Sequence, residues 1–377
     1  MVKHLLVTND YPPKIGGIQS YLWELWRRLP TNEVAVLTTA YEGAAEFDAE
    51  QDHHIERTKG KAMLPTPGLV RRINQMVEDH DAEIVLLDPV LLVGILGPRL
   101  NRPYGLILHG AEVAIPGRLP VSKSILSTIL RGASISIAAG SYPLQEAERA
   151  AGRSLRSVIV PPGVDADRFG LLTGEERSRA RANFGVDDDE FVIATVNRLV
   201  PRKGIPTVVQ AASLVHQRRS DVNLKLLVGG VGRQKRDLER LIAKTGSPTS
   251  LLGMISDADV ANLYGCADLM VMMCNERWLG LEQEGFGIAF LEAAASGIPQ
   301  VAGRSGGSHE AVADGSTGLI VDDSRDIQAV AAAIESLFDD KEKREYLGRQ
   351  ARIRATEIFD YDQLAKELQT ALEDLEL

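Results

Sequence analysis

"VIVPPGVDADRF", residues 158–169, decides the fold, because a β-branched apolar run breaks there on Pro161, Pro162 and Gly163. A polar stretch rich in Glu, Arg and Asp follows at 174–190, and "FVIATVNRL" opens a fresh apolar run at Phe191. Before the break, "HLLVTN", "VAVLTT", "IVLLD", "YGLILHG" and "ISIAAG" alternate with helical patterns such as Ile18, Leu22, Leu25, Trp26 and Leu29. After it the rhythm restarts with "LKLLVGG", "TSLLGMI", "LMVMM", "IPQVAG" and "TGLIVDD". Short apolar runs interleaved with helices make parallel sheets covered on both faces. Two such series predict an α/β protein of two Rossmann-like domains, 1–168 and 169–359, whose strand ends face a shared central cleft. A last helical pattern, about 360–377, is expected to cross back to the first domain.

Bulk composition agrees with this division. A chain of 377 residues exceeds what one hydrophobic core serves. Its formal charge of −10 gives no reason to expect a nucleic-acid partner, and the acid excess lies mainly after residue 165. Cys266 and Cys274 are too few for a disulfide framework and read as small core residues. "MVKHLLVTND" lacks the features of a signal peptide, so a cytoplasmic location is expected, with any membrane contact peripheral. "IVLLDPVLLVGIL" is broken by Asp88 and Pro89 and reads as strand, turn and helix, not as a bilayer span.

The chemistry gathers at strand ends. In "EGFGIAFLEAAASGIP", Glu284, Gly285 and Gly287 precede a helix expected from Ile288 to Gly297. Such a turn aims backbone N–H groups and a helix's positive end at an anion, and Glu292, a turn further in, can accept from two hydroxyls. A ribose diol beside a diphosphate suits this pattern, although two surface glutamates around an ordinary helix start would look the same. In "RLVPRKG", residues 198–204, Arg198 and Lys203 suit a diphosphate clamp. That loop alone would read as solvated, but each motif supplies what the other lacks.

"NDYPPKIGGIQSYL" sets Gly16 and Gly17 where backbone can close on a phosphate, and "HGAE" sets His109, Gly110 and Glu112 at the end of "YGLIL". The glycine turn of "LLVGGVGRQKRDLERL" has the wrong spacing for a dinucleotide fingerprint. The Asp165/Asp167 and Asp257/Asp259 pairs read as linker and helix-start acids, so no metal or other cofactor is expected.

In chain order, "GGIQSYL", "HGAE", "PPGVDADRF", "NRLVPRKG", "LLGMI", "EGFGIAFLEAAASGIP", "GRSGGSHEAV" and "GSTGLIVDD" resemble the retaining glycosyltransferases of the GT-B fold, family four. Within that family, "VTNDYPPKIGGIQSYL", "AMLPTP", "RLVPRKG" and the long loop before "EGFG" look most like the actinobacterial phosphatidylinositol mannoside mannosyltransferases, which use GDP-mannose. The resemblance implies that Arg198 and Lys203 hold the donor diphosphate and Glu292 the ribose. It implies that Glu284 and the N–H groups of Gly285, Phe286 and Gly287, at the start of the helix from Ile288, address the sugar. Gly17 would approach the phosphate, and Gly253, Met254 and Ile255 would border the base. His109 would meet the transferring sugar, with Asp10 and Gln19 on the acceptor side. The chain departs from the pattern at Ala111, where those enzymes carry a second His, in "CNERWLGLEQ", where they carry a glycine-rich loop, and at His309, where they carry proline.

Two acid-free basic windows remain, 57–77 with Arg57, Lys59, Lys61, Arg71 and Arg72, and 113–145 with Arg118, Lys123 and Arg131. Around Lys123 stand Leu119, Val121, Ile125, Leu126, Ile129 and Leu130. With Arg71 and Arg72 assigned to the acceptor side, these windows suit a lipid acceptor met at a membrane surface. A buried helix face with a solvated cationic edge is the plain alternative. The other readings left open are a UDP-sugar hexosyltransferase with another acceptor, a sugar-nucleotide epimerase, a pyridoxal-dependent phosphorylase, a nicotinamide dehydrogenase and a non-catalytic nucleotide-sugar binder.

Overall fold

The structure, a computed structural model, describes residues 2–277 and 282–375; part of the "CNERWLGLEQ" loop, 278–281, and the last two residues of the chain lie outside the described residues. Two compact units are present, Met1–Pro162 with Tyr361–Leu377, and Gly163–Asp360.

The first unit is built on a seven-stranded sheet. Its strands are β1 (His4–Thr8), β2 (Val34–Thr39), β3 (His54–Thr58), β4 (Ile84–Asp88), β5 (Tyr104–Leu108), β6 (Ile135–Ala138) and β7 (Ser157–Ile159), in the order β3-β2-β1-β4-β5-β6-β7. Neighbours pair in parallel. Every residue of β1, β2, β4, β5 and β6 is buried. Burial on both faces is why these strands are continuous apolar runs instead of alternating ones.

Helix Tyr361–Glu373 belongs to this unit, where Tyr361, Leu364 and Leu368 join Leu22, Leu25 and Trp26 in one core cluster. The stretch after β4 forms a 3-10 turn, Gly94–Arg99, not a full α-helix. Helix Pro120–Gly132 divides the apolar set around Lys123, since Leu126, Ile129 and Leu130 are core, whereas Leu119, Val121 and Ile125 are exposed.

The second unit holds β8 (Phe191–Val196), β9 (Leu224–Gly229), β10 (Thr249–Gly253), β11 (Leu269–Met272), β12 (Gln300–Gly303) and β13 (Gly318–Val321), in the order β10-β9-β8-β11-β12-β13. These too pair in parallel. In each sheet the order reverses beside the unit's first strand, between β1 and β4 and between β8 and β11. Ligands of doubly wound sheets bind outside the carboxyl ends of the strands at such a switch point. The fold therefore singles out the loops after β1 and β4, and those after β8 and β11.

Candidate active site

In the second unit the loop after β8 meets the loop after β11. Glu284, buried, accepts through Oε2 from Lys203 Nζ at 2.7 Å, from Arg202 Nη1, and from Cys274 Sγ at 3.3 Å. Burial alone would push this carboxyl up, but Lys203 and Arg202 outweigh it and hold it down at about 2. Glu284 is thus a carboxylate at any physiological pH.

Two close approaches hold the loops together. Gly204, with φ of 64°, ends the "PRK" turn, and a Cβ there would lie 1.7 Å from the Met273 carbonyl oxygen. Gly306, with φ of 50°, packs so closely that its Cβ would lie 2.1 Å from the Glu284 carbonyl oxygen. Only glycine satisfies the conformation and the contact at both positions. The Gly307 N–H donates to that Glu284 carbonyl at 2.9 Å, and the Glu284 N–H donates to Ser305 Oγ at 3.4 Å.

Helix Ile288–Ala295 follows at once, capped by Gly287. Phe286 is buried and its ring meets Phe359 edge-on, so only its backbone is available to a ligand. Glu292, on this helix, is half-buried, and its carboxyl group has no hydrogen-bond partner among the described residues. Burial pushes its carboxyl up to about 7, with Arg168 and Lys203 opposing and Asp257 adding to the rise. Arg198 is exposed and has no ion-pair partner among the described residues.

Behind Arg198, the Asn197 N–H donates to Gly229 and the Leu199 N–H to Val231, both at 3.0 Å. The Gly230 N–H donates to Gly253 at 2.6 Å, which ties in the end of β10, where Met254 is exposed and Ile255 half-buried. The glycine turn after β9 is therefore a backbone buttress for the loops around it.

In the first unit a second cluster lies at the switch point of its own sheet. Asp88, at the end of β4 and buried, accepts from Thr8 Oγ1 at 2.6 Å and through Oδ1 from His109 Nε2 at 3.0 Å. Burial would lower the His109 pKa, but Asp88, Glu112 and Asp10 reverse this and raise it above the ordinary value. Glu112 fixes the backbone by accepting the His109 and Gly110 N–H groups. The Tyr21 ring stands edge-on to His109 at 5.7 Å, with its hydroxyl donating to Val160 at 2.8 Å.

Asp10 Oδ1 accepts from Lys14 Nζ and Gln19 Nε2, both at 2.5 Å. Gly17 is exposed at the start of helix Gly17–Trp26. Arg71 and Arg72 are exposed on helix Pro67–Asp79, away from this set in sequence, and Arg72 is paired with Glu56.

Of the residues singled out in the sequence, the second unit joins Lys203 to Glu284, and the first joins Gln19 to Asp10 and sets His109 where the charge of Asp10 acts on it, while Arg71 and Arg72 stand apart. Arg202, Cys274, Lys14, Thr8 and Asp88 were not among those singled out. Cys274 is core, as expected of a small buried thiol, yet it also contacts Glu284. A signal for Asp88 existed, since it is the one charge ending the apolar run "IVLLD". The paired acids have ordinary roles: Asp165 caps the N–H groups of Asp167 and Arg168, and Asp257 and Asp259 start a helix capped by Ser256. Among the described residues no group of three or more His, Cys, Asp or Glu could hold a metal, and no helix is long and apolar enough to cross a membrane.

Residues 176–354 match the family model described as glycosyl transferases group 1. The chain is 34% identical over 364 residues to the GDP-mannose-dependent alpha-(1-6)-phosphatidylinositol monomannoside mannosyltransferase of Mycolicibacterium smegmatis, covering 92% of each protein. It is 31% identical to the GDP-mannose-dependent monoacylated alpha-(1-6)-phosphatidylinositol monomannoside mannosyltransferase of Corynebacterium glutamicum, covering 98% of each. In fold it is similar to Anabaena HepE, solved with UDP and glucose, at a TM-score of 0.80 and 21% identity over the whole of both chains.

Proposed function

Because the chain belongs to the glycosyl transferases group 1 family and is a glycosyltransferase, we propose that it moves mannose from GDP-mannose to a phosphatidylinositol mannoside lipid, with retained anomeric configuration and without a metal. One observation carries the donor half of this reading. Arg198 stands exposed and, among the described residues, unpaired, while Lys203 lies beside the turn that opens helix Ile288–Ala295. A diphosphate is the anion that two cations and a helix N-terminus together suit. Mannose and the inositol lipid are drawn from the relatives, which cover more than nine-tenths of the chain.

In the reaction, the bond from the anomeric carbon to the diphosphate oxygen breaks, and the acceptor hydroxyl oxygen bonds to that carbon on the same face. The acceptor proton passes to the leaving phosphate. Negative charge grows on the phosphate as the bond breaks, and Arg198 and Lys203, set in place beforehand, stabilise it there. That task, given to a metal in other enzymes, here falls to the two cations.

Glu292 takes the ribose diol, and Gly253 to Ile255 border the base. The Gly285 to Gly287 N–H groups and Glu284 address the sugar, and Gly17 approaches the phosphate. In the first unit, His109 meets the sugar, while Asp10, Gln19, Arg71 and Arg72 serve the acceptor. A peripheral position at a membrane surface would bring the soluble donor and the lipid together.

The test is a thermal-shift comparison of GDP-mannose with UDP-glucose in the presence of chelator, followed by product analysis with phosphatidylinositol mannoside. A ligand held only by the folded state raises the melting temperature. GDP-mannose should give the larger shift and an α-linked product. A larger shift with UDP-glucose, or loss of the shift in chelator, would overturn the donor or the metal-free part.

A further inference from the structure

Glu284 is held through one oxygen. Oε2 takes Arg202, Lys203 and Cys274, and Oε1 has no hydrogen-bond partner among the described residues. The two cations on Oε2 are not equivalent. Arg202 is built into the wall of the site: its guanidinium also reaches the Gln283 carbonyl at 3.4 Å, its Nε lies 4.0 Å from Glu282, and its own carbonyl accepts the Asn275 N–H at 2.7 Å. For the Lys203 ammonium, Glu284 is the sole partner among the described residues. An ammonium is a compact charge with three rotatable donors and can turn to a second anion, whereas a guanidinium fork is committed by its plane.

We propose that Arg202 is a positioning residue for the donor sugar, which keeps Glu284 anchored by Oε2 when the donor diphosphate recruits Lys203, so that Oε1 stays turned to a sugar hydroxyl. This rests on the reading of Lys203 as a diphosphate ligand and Glu284 as a sugar ligand. Before the donor arrives, both cations serve the Glu284 carboxylate. Afterwards Lys203 is shared, and Arg202 alone prevents a buried carboxylate from facing a diphosphate without a counter-charge.

Loss of Arg202 should therefore show as a change in protonation as well as in affinity. The charged and titratable groups facing Glu284 are Arg202 and Lys203 from the loop after β8, Cys274 from the end of β11, and Glu282 on its own loop, itself paired with Arg277. With Arg202 absent and Lys203 shared, the Glu284 carboxyl rises into the range where it takes a proton in weak acid.

The experiment measures binding of GDP and of GDP-mannose to the full chain by calorimetry between about pH 5 and 8, for wild type, Arg202→Gln and Arg202→Lys. Both ligands carry the ribose held by Glu292, so the ratio of the two affinities isolates the sugar contact. We expect Arg202→Gln to lower GDP-mannose affinity about tenfold, the scale of a lost charge-assisted hydrogen bond, and to leave GDP affinity nearly unchanged. The ratio should fall further on acidification in Arg202→Gln but stay flat in wild type, and Arg202→Lys should restore much of it. Should Arg202→Gln fail to fold, Arg202→Lys carries the test through a smaller loss with the same selectivity for GDP-mannose. Equal losses for GDP and GDP-mannose, or an unchanged ratio at every pH, would overturn the proposal. A wild type that binds neither ligand would sink the functional reading beneath it.

Discussion

Asp88 Oδ1 lies 3.0 Å from His109 Nε2, the first residue ending β4 and the second following the adjacent strand β5 of the first unit. The contact fixes the proton of a neutral His109 on Nε2 and favours the imidazolium, which is why its pKa stands above the ordinary value of about 6.5. Replacing Asp88 with Asn should bring the His109 titration, followed by NMR, down past that value. A histidine with a raised folded pKa contributes stability that is fully present below its unfolded pKa and fades as pH rises through the folded one. Wild type should therefore exceed Asp88→Asn in urea midpoint most near pH 6 and least near pH 9. An unshifted His109 titration in the variant would falsify the pairing.

Arg198 and Lys203 are proposed to share one anion but differ in what they do without it. Arg198 is exposed and unpaired among the described residues, so Arg198→Ala should leave stability within about 0.5 kcal/mol of wild type while lowering turnover. Lys203→Ala takes a donor from buried Glu284 and should cost about 1–3 kcal/mol at pH 7 besides lowering turnover. Glu284 is held down at about 2, so its stabilisation is present above the ordinary carboxyl range and lost as pH falls toward that value. The Lys203→Ala deficit should shrink accordingly in acid. Equal melting temperatures for the two variants at pH 7 would contradict these roles.

Glu292 presents the opposite sign. Its carboxyl is raised to about 7 by burial, so the folded state keeps a proton that the unfolded chain has lost, and stability falls as pH rises from about 4.5 to 7. Glu292→Gln removes this penalty. The variant should melt progressively higher than wild type across that interval, with a constant advantage above it, and bind GDP-mannose more weakly at every pH. Improved stability together with unchanged GDP-mannose affinity would remove Glu292 from the donor site.

Such partial conflicts mark what local sequence pattern can and cannot reveal. The two doubly wound sheets are legible because strands buried on both faces must be continuous apolar runs, and "IVLLD" or "FVIATV" can hardly be otherwise. The glutamate helix is legible because its glycines and Pro299 frame it. The allocation of charge is different. "RLVPRKG" displays three cations within seven residues, yet Arg202 is committed to Glu284, 82 positions away, while Arg198 has no ion-pair partner among the described residues. Asp88 reads locally as an interruption of an apolar segment, and only the pairing of β4 with β5 sets it against His109. Contacts made by tertiary placement leave no periodicity to read.

The membrane reading can be sharpened by burial. Of the apolar residues around Lys123, three form the inner face of helix Pro120–Gly132, which meets the alternative expectation of an ordinary amphipathic helix. The remainder do not fit it: Leu119 is 56% exposed and Val121 78%, with Ile125 and Ile115 also exposed. In sequence these flank Lys123, itself exposed, and Arg71 is exposed on helix Pro67–Asp79, whereas Arg72 and Arg118 already face Glu56 and Glu146. Cations committed to carboxylates attract headgroups weakly, so the attachment should depend on the apolar residues more than on the number of basic ones. A cation at the surface of an anionic bilayer contributes about 1 kcal/mol, and a shallowly inserted valine or leucine adds a comparable apolar gain. Cosedimentation with vesicles of anionic phosphatidylinositol and neutral phosphatidylcholine should show salt-sensitive binding of wild type to the anionic vesicles alone. Replacing Leu119, Val121 and Ile125 with Ser should abolish it, and replacing Arg72 and Arg118 with Ser should weaken it only slightly. Loss of binding through the arginines with the apolar residues dispensable would reverse this ranking, and no binding by wild type to either vesicle would point to an acceptor met in solution.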